Sequence, residues 1–331
     1  MKKQILSGLL AGAMLVSLAA CGGSASTSTP AESTADTAAS TEAASTSEGG
    51  NIYGYTCMQL TNPFHIAMRD ELKKLSEADG NTLLEFDGNM DQQKQNDAID
   101  DMIAQGMKIL FLNPVDQDGV QPALEACAAA GVKVITVDSN VTDTSLIETY
   151  ISSNNYTAGL QCGEEIVKLY PDGCNIAILE NPLAESVVQR VNGLETAIEG
   201  TNCKIVDRKS IATLDEVLPD AEDILTANDD LQVFWGLNDD VSMTILGTVE
   251  SRGRQDEIKV MSVDGSPSGK TSVQEGGLYC TAAQSPVSIA DKAYECATKI
   301  MNGESVDATY SLDTTLITPD NVADNDPSNW G

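Results

Sequence analysis

The alternation of short apolar segments with amphipathic segments is the feature of this sequence that most constrains its fold. From Asn51 onward the pattern runs strand then helix about five times, and the second half of the chain repeats this plan. Such alternation predicts parallel βαβ units, in which helices flank a parallel sheet. The predicted strands span residues 52–59, 82–86, 109–112, 134–137, 149–152, 175–179, 204–209, 233–236, 259–263 and 278–282. The predicted helices span residues 64–78, 91–105, 120–130, 158–169, 185–198, 214–226, 240–251, 268–275 and 286–301.

The length of this patterned region bounds the number of domains. About 280 of the 331 residues follow position 50, which is more than a single hydrophobic core usually takes. The two halves also share one order of strands and helices. The sequence therefore predicts an α/β protein of two similar lobes, each a parallel sheet flanked by helices.

Residues 1–20 are predicted to be a signal peptide that is not part of the fold. Lys2 and Lys3 form a positively charged n-region. Residues 5–20 form an apolar run that is too short to span a membrane. The run ends in Leu18-Ala19-Ala20-Cys21, which resembles a bacterial lipobox. In that motif the cysteine is diacylated, so Cys21 is the predicted lipidation site. An ordinary secretory signal that ends beside a cysteine is the alternative.

Residues 21–50 are predicted to form a lipidated, disordered tether. After the cysteine they are mostly Ser, Thr, Ala, Gly and Glu, and they contain no large apolar residue. Such a segment cannot bury enough surface to offset its ordering entropy. No later stretch has the apolar length to span a membrane. We therefore expect a protein on the extracytoplasmic face of the cell membrane that contacts the membrane through its lipid anchor only.

The formal net charge of −31 excludes some classes of partner. Contacts to nucleic acid phosphates need clustered Lys and Arg, and the chain has only 19 of these residues against 50 Asp and Glu. Only four of the acids lie in the tether, so the globular part is itself strongly anionic. The charge argues against nucleic acid as a partner and makes an anionic ligand less favoured.

The reactive residue types give no carrier for enzymatic, metal or cofactor chemistry. The seven cysteines after Cys21 show no metal-ligand spacing, and buried thiols are predicted for them, with a Cys174–Cys203 bridge as an alternative. His65 is the single histidine, so a multi-histidine metal site is excluded. Phosphate-binding glycine motifs are also lacking. We predict a protein that is not an enzyme and that uses no cofactor and no metal.

Polar side chains follow nearly every predicted strand. In open α/β sheets, ligands bind outside the carboxyl ends of the strands, so two facing sheets would bring these side chains around one cleft. Carboxylates and amides together suit a ligand rich in hydroxyl groups. The same residue types also serve as turn formers and helix caps, an alternative that is strongest for Asp87 and Asp138. The residues are Asn62, Asp87, Asn113, Asp138, Asn154, Glu180, Ser210, Asn238, Asp264 and Gln284.

The order and spacing of several such motifs resemble the ribose-binding-protein branch of the periplasmic sugar-binding proteins. The resemblance covers almost all of residues 51–317. It is carried by Asn62-Pro63-Phe64, Ile109-Leu110-Phe111-Leu112-Asn113-Pro114, Val134-Ile135-Thr136-Val137-Asp138, Ile151-Ser152-Ser153-Asn154-Asn155, Arg190-Val191-Asn192-Gly193-Leu194, Gly236-Leu237-Asn238-Asp239-Asp240, Val263-Asp264-Gly265 and Gln284.

The resemblance implies a fold of the periplasmic-binding-protein type I, in which three chain crossings form a hinge between the lobes. The first lobe would contain residues 51–153 and 285–313, and the second residues 154–284 and 314–331. The family's ligand-contacting positions match Asn62, Phe64, Asp138, Asn238, Asp264 and Gln284, with Asn113 near the pocket. His65 either lines the mouth of that pocket or caps and solvates the helix that starts there.

The resemblance also implies a function and its partners. We expect a monomeric solute-binding protein that captures a small sugar or sugar-like ligand and delivers it to the permease subunits of an ABC importer. The alternative is a receptor that presents a sugar, polyol or nucleoside to a membrane signalling partner.

Four positions depart from the pattern of ribose binders. Ser139 stands where those proteins carry one arginine, and Val188 aligns with a second. His65 and Leu214 replace aromatic residues, and Arg190 aligns with a structural position. The sequence thus predicts a cleft without the two arginines, and a ligand of the sugar class that need not be ribose.

Overall fold

The computed structural model describes residues 50–330. The predicted signal peptide, the predicted lipidation site Cys21 and all but the last residue of the predicted tether lie outside these residues. The strands are β1 (Ile52–Cys57), β2 (Thr82–Asp87), β3 (Ile109–Leu112), β4 (Lys133–Val137), β5 (Thr149–Ser153), β6 (Asn175–Glu180), β7 (Lys204–Ser210), β8 (Val233–Gly236), β9 (Lys259–Asp264), β10 (Cys280–Ala283), β11 (Thr309–Leu312) and β12 (Thr315–Ile317). The α-helices are α1 (Pro63–Ala78), α2 (Gln92–Ala104), α3 (Gln121–Ala130), α4 (Asn155–Leu169), α5 (Glu185–Ile198), α6 (Leu214–Ala227), α7 (Asp239–Ser251), α8 (Pro267–Glu275) and α9 (Pro286–Met301).

The strands form two sheets of six strands each, and the order is equivalent in both. The first sheet runs β11-β5-β4-β3-β1-β2, and the second runs β12-β10-β9-β8-β6-β7. All pairs are parallel except β10 with β12, which is antiparallel. The predicted fold class, two similar lobes that each contain a parallel sheet flanked by helices, is confirmed.

The first sheet is covered on both faces, as β3 shows residue by residue. Its four residues are all fully buried. Ile109 and Phe111 join an apolar cluster that includes α1 and α9, whereas Leu110 and Leu112 join a second cluster with α2 and α3. Alternate residues of a strand point to opposite faces, so a continuous apolar run is what a sheet buried on both faces requires.

The chain passes between the sheets at three places. It leaves the first sheet after β5, returns after β10 through α9 to β11, and crosses again between β11 and β12. Because α9 packs on α1, the segment between the last two crossings belongs with the first sheet. The crossings connect β5, β10, β11 and β12, which lie at the same edge of the two sheets. The carboxyl ends of the parallel strands of one sheet therefore face those of the other sheet.

The seven cysteines among the described residues are all buried free thiols, including Cys174 and Cys203. The alternative of a bridge between those two is therefore not present in the structure. Trp235 of β8 is fully buried in the apolar cluster of the second lobe. Within residues 50–330, none of the helices combines the length and the apolar character needed to cross a membrane.

Candidate functional site

A cleft lies between the carboxyl ends of the two sheets, with about 710 Å³ of empty space when its open mouth is included. Both lobes supply its walls. Of the residues predicted to bind ligand, six line this cleft: Asn62, Phe64, His65, Asp138, Asn238 and Asp264.

Asp138 follows β4 and brings a buried carboxylate to the cleft. The side chain is 7% exposed, and the Nδ2 amide of Asn113 donates a 3.0 Å hydrogen bond to its Oδ2 atom. The Oδ1 atom is buried without a hydrogen-bond partner among the described residues. Burial raises the pKa of Asp138 above its usual value, although Arg190 opposes that rise. A buried carboxylate oxygen without a donor is an acceptor that a ligand can satisfy.

Asp264 ends β9 and is the counterpart of Asp138 in the second lobe. The Nε2 amide of Gln284 donates a 2.8 Å hydrogen bond to its Oδ1 atom. Burial raises the pKa of this carboxyl well above the usual range for aspartate, and again Arg190 opposes the rise. Both aspartates also have positive φ angles, 64° for Asp138 and 130° for Asp264. Non-glycine residues in such conformations are strained, and this strain concentrates at functional sites.

Arg190 of α5 lies between the two aspartates, which corrects the prediction from the sequence. Its guanidinium is 3.9 Å from Oδ1 of Asp138 and 3.9 Å from Oδ1 of Asp264. Its orientation is fixed by two shorter hydrogen bonds, from Nε to Oδ1 of Asn155 at 2.8 Å and from Nη1 to the carbonyl oxygen of Leu237 at 2.7 Å. The cleft therefore contains an arginine, although the alignment had assigned Arg190 a structural position.

The phase of α5 explains the error. Ser186, Val187 and Arg190 line the cleft, and they are three and four residues apart, so they share one face of the helix. Val188 is two residues from Arg190 and lies on a different face. A sequence alignment matched residue types by position, whereas the helix face determines which side chain enters the cleft.

Asn113 and Gln284 do not line the cleft, whereas the resemblance implies ligand contact for Gln284 and a position near the pocket for Asn113. They are 0% and 2% exposed and sit behind the two aspartates, to which each donates the hydrogen bond described above. The Oδ1 atom of Asn113 also accepts a 3.1 Å hydrogen bond from the backbone N–H of Met58. The structure thus gives these amides a supporting position, in which they fix the orientation of the carboxylates.

Asn62 and Asn238 serve as helix caps and also line the cleft. Oδ1 of Asn62 accepts from the backbone N–H of Phe64 at 2.8 Å, and Oδ1 of Asn238 accepts from that of Val241 at 2.9 Å. Capping uses the carbonyl oxygen of each side chain and leaves its amide hydrogens as donors. The capping and binding interpretations of these residues are therefore compatible.

His65 and Asp87 differ in which of the two interpretations, binding or turn formation, the structure supports. His65 is 6% exposed and lines the cleft, with Nδ1 2.9 Å from the carbonyl oxygen of Gln59. Burial lowers its pKa, so the ring is neutral and Nδ1 is the donor in that pair. Asp87 instead accepts from the backbone N–H groups of Leu60 and Asn89, which makes it a turn residue outside the cleft lining.

The fold agrees with the similarity of this chain to known proteins. A family model described as a periplasmic binding protein domain matches residues 53–305. The chain belongs to the periplasmic binding protein family.

Three known proteins illustrate what this periplasmic binding protein is similar to. The ribose import binding protein RbsB of Escherichia coli strain K12 is 30% identical over 261 residues, which cover 78% of this chain and 87% of that protein. An ABC transporter solute-binding protein from Mycobacterium smegmatis, solved with bound glycerol, is 29% identical with a TM-score of 0.80, covering 86% and 100% of the two chains. The myo-inositol-binding protein of Caulobacter, solved with myo-inositol, is 26% identical with a TM-score of 0.77, covering 82% and 95%.

Sequence reasoning missed several lining residues of this periplasmic binding protein. Asn181 lines the cleft, whereas the sequence pattern indicates Glu180, the last residue of β6, as the polar residue at this strand end. Asp240 in the first turn of α7 was also missed, although it follows Asn238 in one of the quoted motifs. Leu214 also lines the wall of the cleft.

The formal charges of the lining give this binding protein a net negative cleft, and burial raises the pKa of its three carboxyl groups. Asp138, Asp240 and Asp264 are opposed by one guanidinium, that of Arg190, and His65 is neutral. In a low-dielectric cleft, like charges repel a ligand strongly. The arrangement favours an uncharged or cationic ligand that donates hydrogen bonds, and it disfavours an anion.

The lobes of this binding protein touch across the cleft, so the structure shows a closed arrangement. The hydroxyl group of Tyr150 in the first lobe is 3.1 Å from Oε2 of Glu185 in the second. The backbone N–H of Ser186 donates a 3.1 Å hydrogen bond to Oγ of Ser139. Met58 of the first lobe also belongs to the apolar cluster of the second. Ser139 thus contributes to contact between the lobes.

Proposed function

We propose that this protein captures a small polyhydroxylated ligand, a sugar or a sugar-like molecule, in the cleft between its lobes and delivers it to an ABC import permease. The observation that carries the proposal is the placement of Asp138 and Asp264. The two buried carboxylates end equivalent strands of the two lobes, and each faces Arg190. One ligand can therefore be held by both lobes at once.

The chemistry of the cleft supports a ligand with several hydroxyl groups. A hydroxyl group both donates and accepts. It can donate to a carboxylate such as that of Asp138, whose Oδ1 atom lacks a donor within residues 50–330, and accept from the side-chain amide groups of Asn62 or Asn238. Phe64 offers an apolar ring to the carbon face of a sugar.

The relatives support the same class of ligand. One is named as a ribose importer component, and two were solved with glycerol and myo-inositol. The present chain keeps the two aspartates but has Ser139, His65 and Leu214 where its resemblance to ribose binders implies other residues. We infer that the ligand is a polyol or sugar other than ribose.

The remaining parts of the proposal concern location and organisation. We infer that residues 1–20 are removed, that Cys21 carries the lipid anchor, and that the protein acts as a monomer on the extracytoplasmic face of the membrane. The lobes would be bounded as the resemblance implies, with residues 51–153 and 285–313 in the first and 154–284 and 314–331 in the second. The ligand-binding residues would be Asn62, Phe64, His65, Asp138, Arg190, Asn238 and Asp264, with Asn113 and Gln284 in support.

A screen by thermal shift followed by calorimetric titration tests this function. The panel contains D-ribose, D-fructose, D-allose, myo-inositol and glycerol, together with amino acids and the sugar acid D-galacturonate. A ligand that binds only the folded state raises the melting midpoint of the protein. We therefore expect at least one sugar or polyol to raise this midpoint and the anion D-galacturonate to leave it unchanged. Stabilisation by an amino acid or by D-galacturonate alone would overturn the proposal.

A further inference from the structure

The chain continues past β12 into a C-terminal segment that contacts both lobes. Residues 326–330, which we name the C-terminal clasp, are the last residues that the structure describes. The clasp begins with a turn in which Asp326 accepts from the backbone N–H of Ser328 at 2.8 Å and from Nδ2 of Asn329 at 3.1 Å. This turn gives the segment a defined conformation.

One end of the clasp is fixed to the second lobe. Lys270 of α8 is only 1% exposed, and its Nζ atom donates a 2.7 Å hydrogen bond to the carbonyl oxygen of Asn329. Pro327 lies at a groove that also contains Met243 and Leu246 of α7. Burying an ammonium group costs free energy unless the group is hydrogen-bonded. The hydrogen bond to the Asn329 carbonyl oxygen therefore offsets part of the cost of burying Lys270.

The other end of the clasp lies on the first lobe. The half-buried ring of Trp330 packs edge to face against Phe64, with ring centroids 5.5 Å apart and an interplanar angle of 82°. Trp330 packs on the apolar cluster of the first lobe that contains α1 and α9. Phe64 is 3% exposed and lines the cleft. The clasp thus links Lys270 of one lobe to a cleft-lining ring of the other, in addition to the three crossings between the sheets.

We propose that the C-terminal clasp holds the two lobes in the closed arrangement and that Trp330 is a positioning residue for Phe64. Opening the cleft separates Lys270 from Phe64, so it must break either the Lys270–Asn329 hydrogen bond or the Trp330–Phe64 contact. The proposal rests on the proposed function only in taking the cleft to be the ligand site. An aromatic pair of this geometry is expected to shift the equilibrium between open and closed forms by about twofold to tenfold.

Small-angle X-ray scattering without ligand tests the clasp. All variants are made in the full-length chain with Cys21→Ser, so that no lipid is attached. We expect Trp330→Ala to increase the radius of gyration, because the open form is larger, and Trp330→Phe to restore the original value, because a phenyl ring keeps the edge-to-face contact. Met301→Ala, which shortens a half-exposed apolar side chain on α9, is the matched control and should cause no change.

Lys270→Met tests the second anchor, since it removes the ammonium group and keeps an apolar stem. It should increase the radius of gyration as Trp330→Ala does, and the double variant should show no further increase, because both changes release the same clasp. An unchanged radius of gyration in Trp330→Ala would overturn the proposal, and so would a fully additive increase in the double variant.

Acrylamide quenching gives an independent measurement. The chain has two tryptophans, so Trp235→Phe leaves Trp330 as the only tryptophan. We expect Trp330 to be protected from acrylamide in this variant and to lose that protection when Lys270→Met is added. If acrylamide quenches Trp330 in the folded Trp235→Phe variant as strongly as in the urea-unfolded chain, the proposal is overturned. Because neither measurement uses a ligand, failure here leaves the proposed function standing, and failure of the ligand screen leaves the clasp standing.

Discussion

Asp138 and Asp264 face one guanidinium group from opposite lobes, each with its Oδ1 atom 3.9 Å from Arg190. Neither distance is that of a direct hydrogen bond, and Arg190 donates instead to Asn155 and Leu237. The guanidinium balances part of the negative charge without using up the carboxylate oxygens. These oxygens remain acceptors for a ligand, and a ligand that donates to both would hold the lobes together.

We predict that Asp264→Asn weakens ligand binding by at least about tenfold, because a hydrogen bond to a charged group contributes roughly 1.5–3 kcal/mol. Asparagine is the suitable replacement, since it keeps the shape of aspartate and its Oδ1 atom can still accept from Gln284. The melting midpoint of the ligand-free protein should stay equal or rise, because burial disfavours the charged form of Asp264. Calorimetric titration and thermal melting give the two quantities.

Asp87→Ala is the control for this experiment. Asp87 accepts from two backbone N–H groups of a turn and does not line the cleft. Its removal should lower stability by about 0.5–2 kcal/mol, as loss of a capping side chain does, and leave the affinity nearly intact. If Asp87→Ala lost affinity while Asp264→Asn bound normally, the cleft residues would have been misassigned.

Asn238 allows the capping and binding roles to be separated by two variants. Asn238→Ala removes the cap of α7 and the amide donor together, so we predict a stability loss of about 1 kcal/mol and a loss of affinity. Asn238→Ser keeps a good capping oxygen but loses the amide. It should therefore be as stable as the wild-type protein but bind the ligand more weakly. Denaturant unfolding and calorimetric titration of both variants check this. Normal affinity in Asn238→Ser would show that the amide does not contact the ligand.

Most of the fold was predictable because its signals are local. All ten predicted strands are present, and the predicted helix of residues 286–301 has the observed bounds of α9. The sequence analysis missed β11 and β12, which have four and three residues and lie at sheet edges. Their residues are mostly exposed or half-buried, so they lack the apolar run that identified β3.

The candidate site was predictable where a residue's role follows from its place at a strand end. This holds for Asp138 and Asp264, whose positions relative to β4 and β9 are fixed by the chain itself. Prediction from the sequence fails for Arg190, because the phase of α5 determines which side chain of the helix enters the cleft. It also fails for Trp330, because nothing in the local sequence specifies that the end of the chain packs against Phe64, more than 260 positions earlier.

The lipid anchor gives a prediction in cells. If Cys21 is acylated, Cys21→Ser should leave the protein unprocessed or release it into the medium, because membrane attachment depends on the acyl chains. Blots of membrane and soluble fractions, with the wild-type chain in parallel, measure the distribution. A Cys21→Ser protein that is processed normally and remains in the membrane fraction would contradict the lipoprotein assignment.

The pH dependence of binding follows from the raised pKa of Asp264. In the ligand-free protein this pKa lies well above 3.8, mainly because the carboxyl is buried. A ligand hydroxyl that donates to the carboxylate stabilises its charged form and lowers the pKa, so binding releases a proton in the window between the lower pKa of the ligand-bound state and the raised pKa of the ligand-free protein. Affinity should therefore rise with pH across that window and become flat above it. Titrations in buffers of different ionisation enthalpy measure the released proton, and Asp264→Asn should abolish most of the dependence. A wild-type affinity that falls as pH rises through this window would mean that the ligand binds the protonated carboxyl and donates its hydrogen bonds elsewhere.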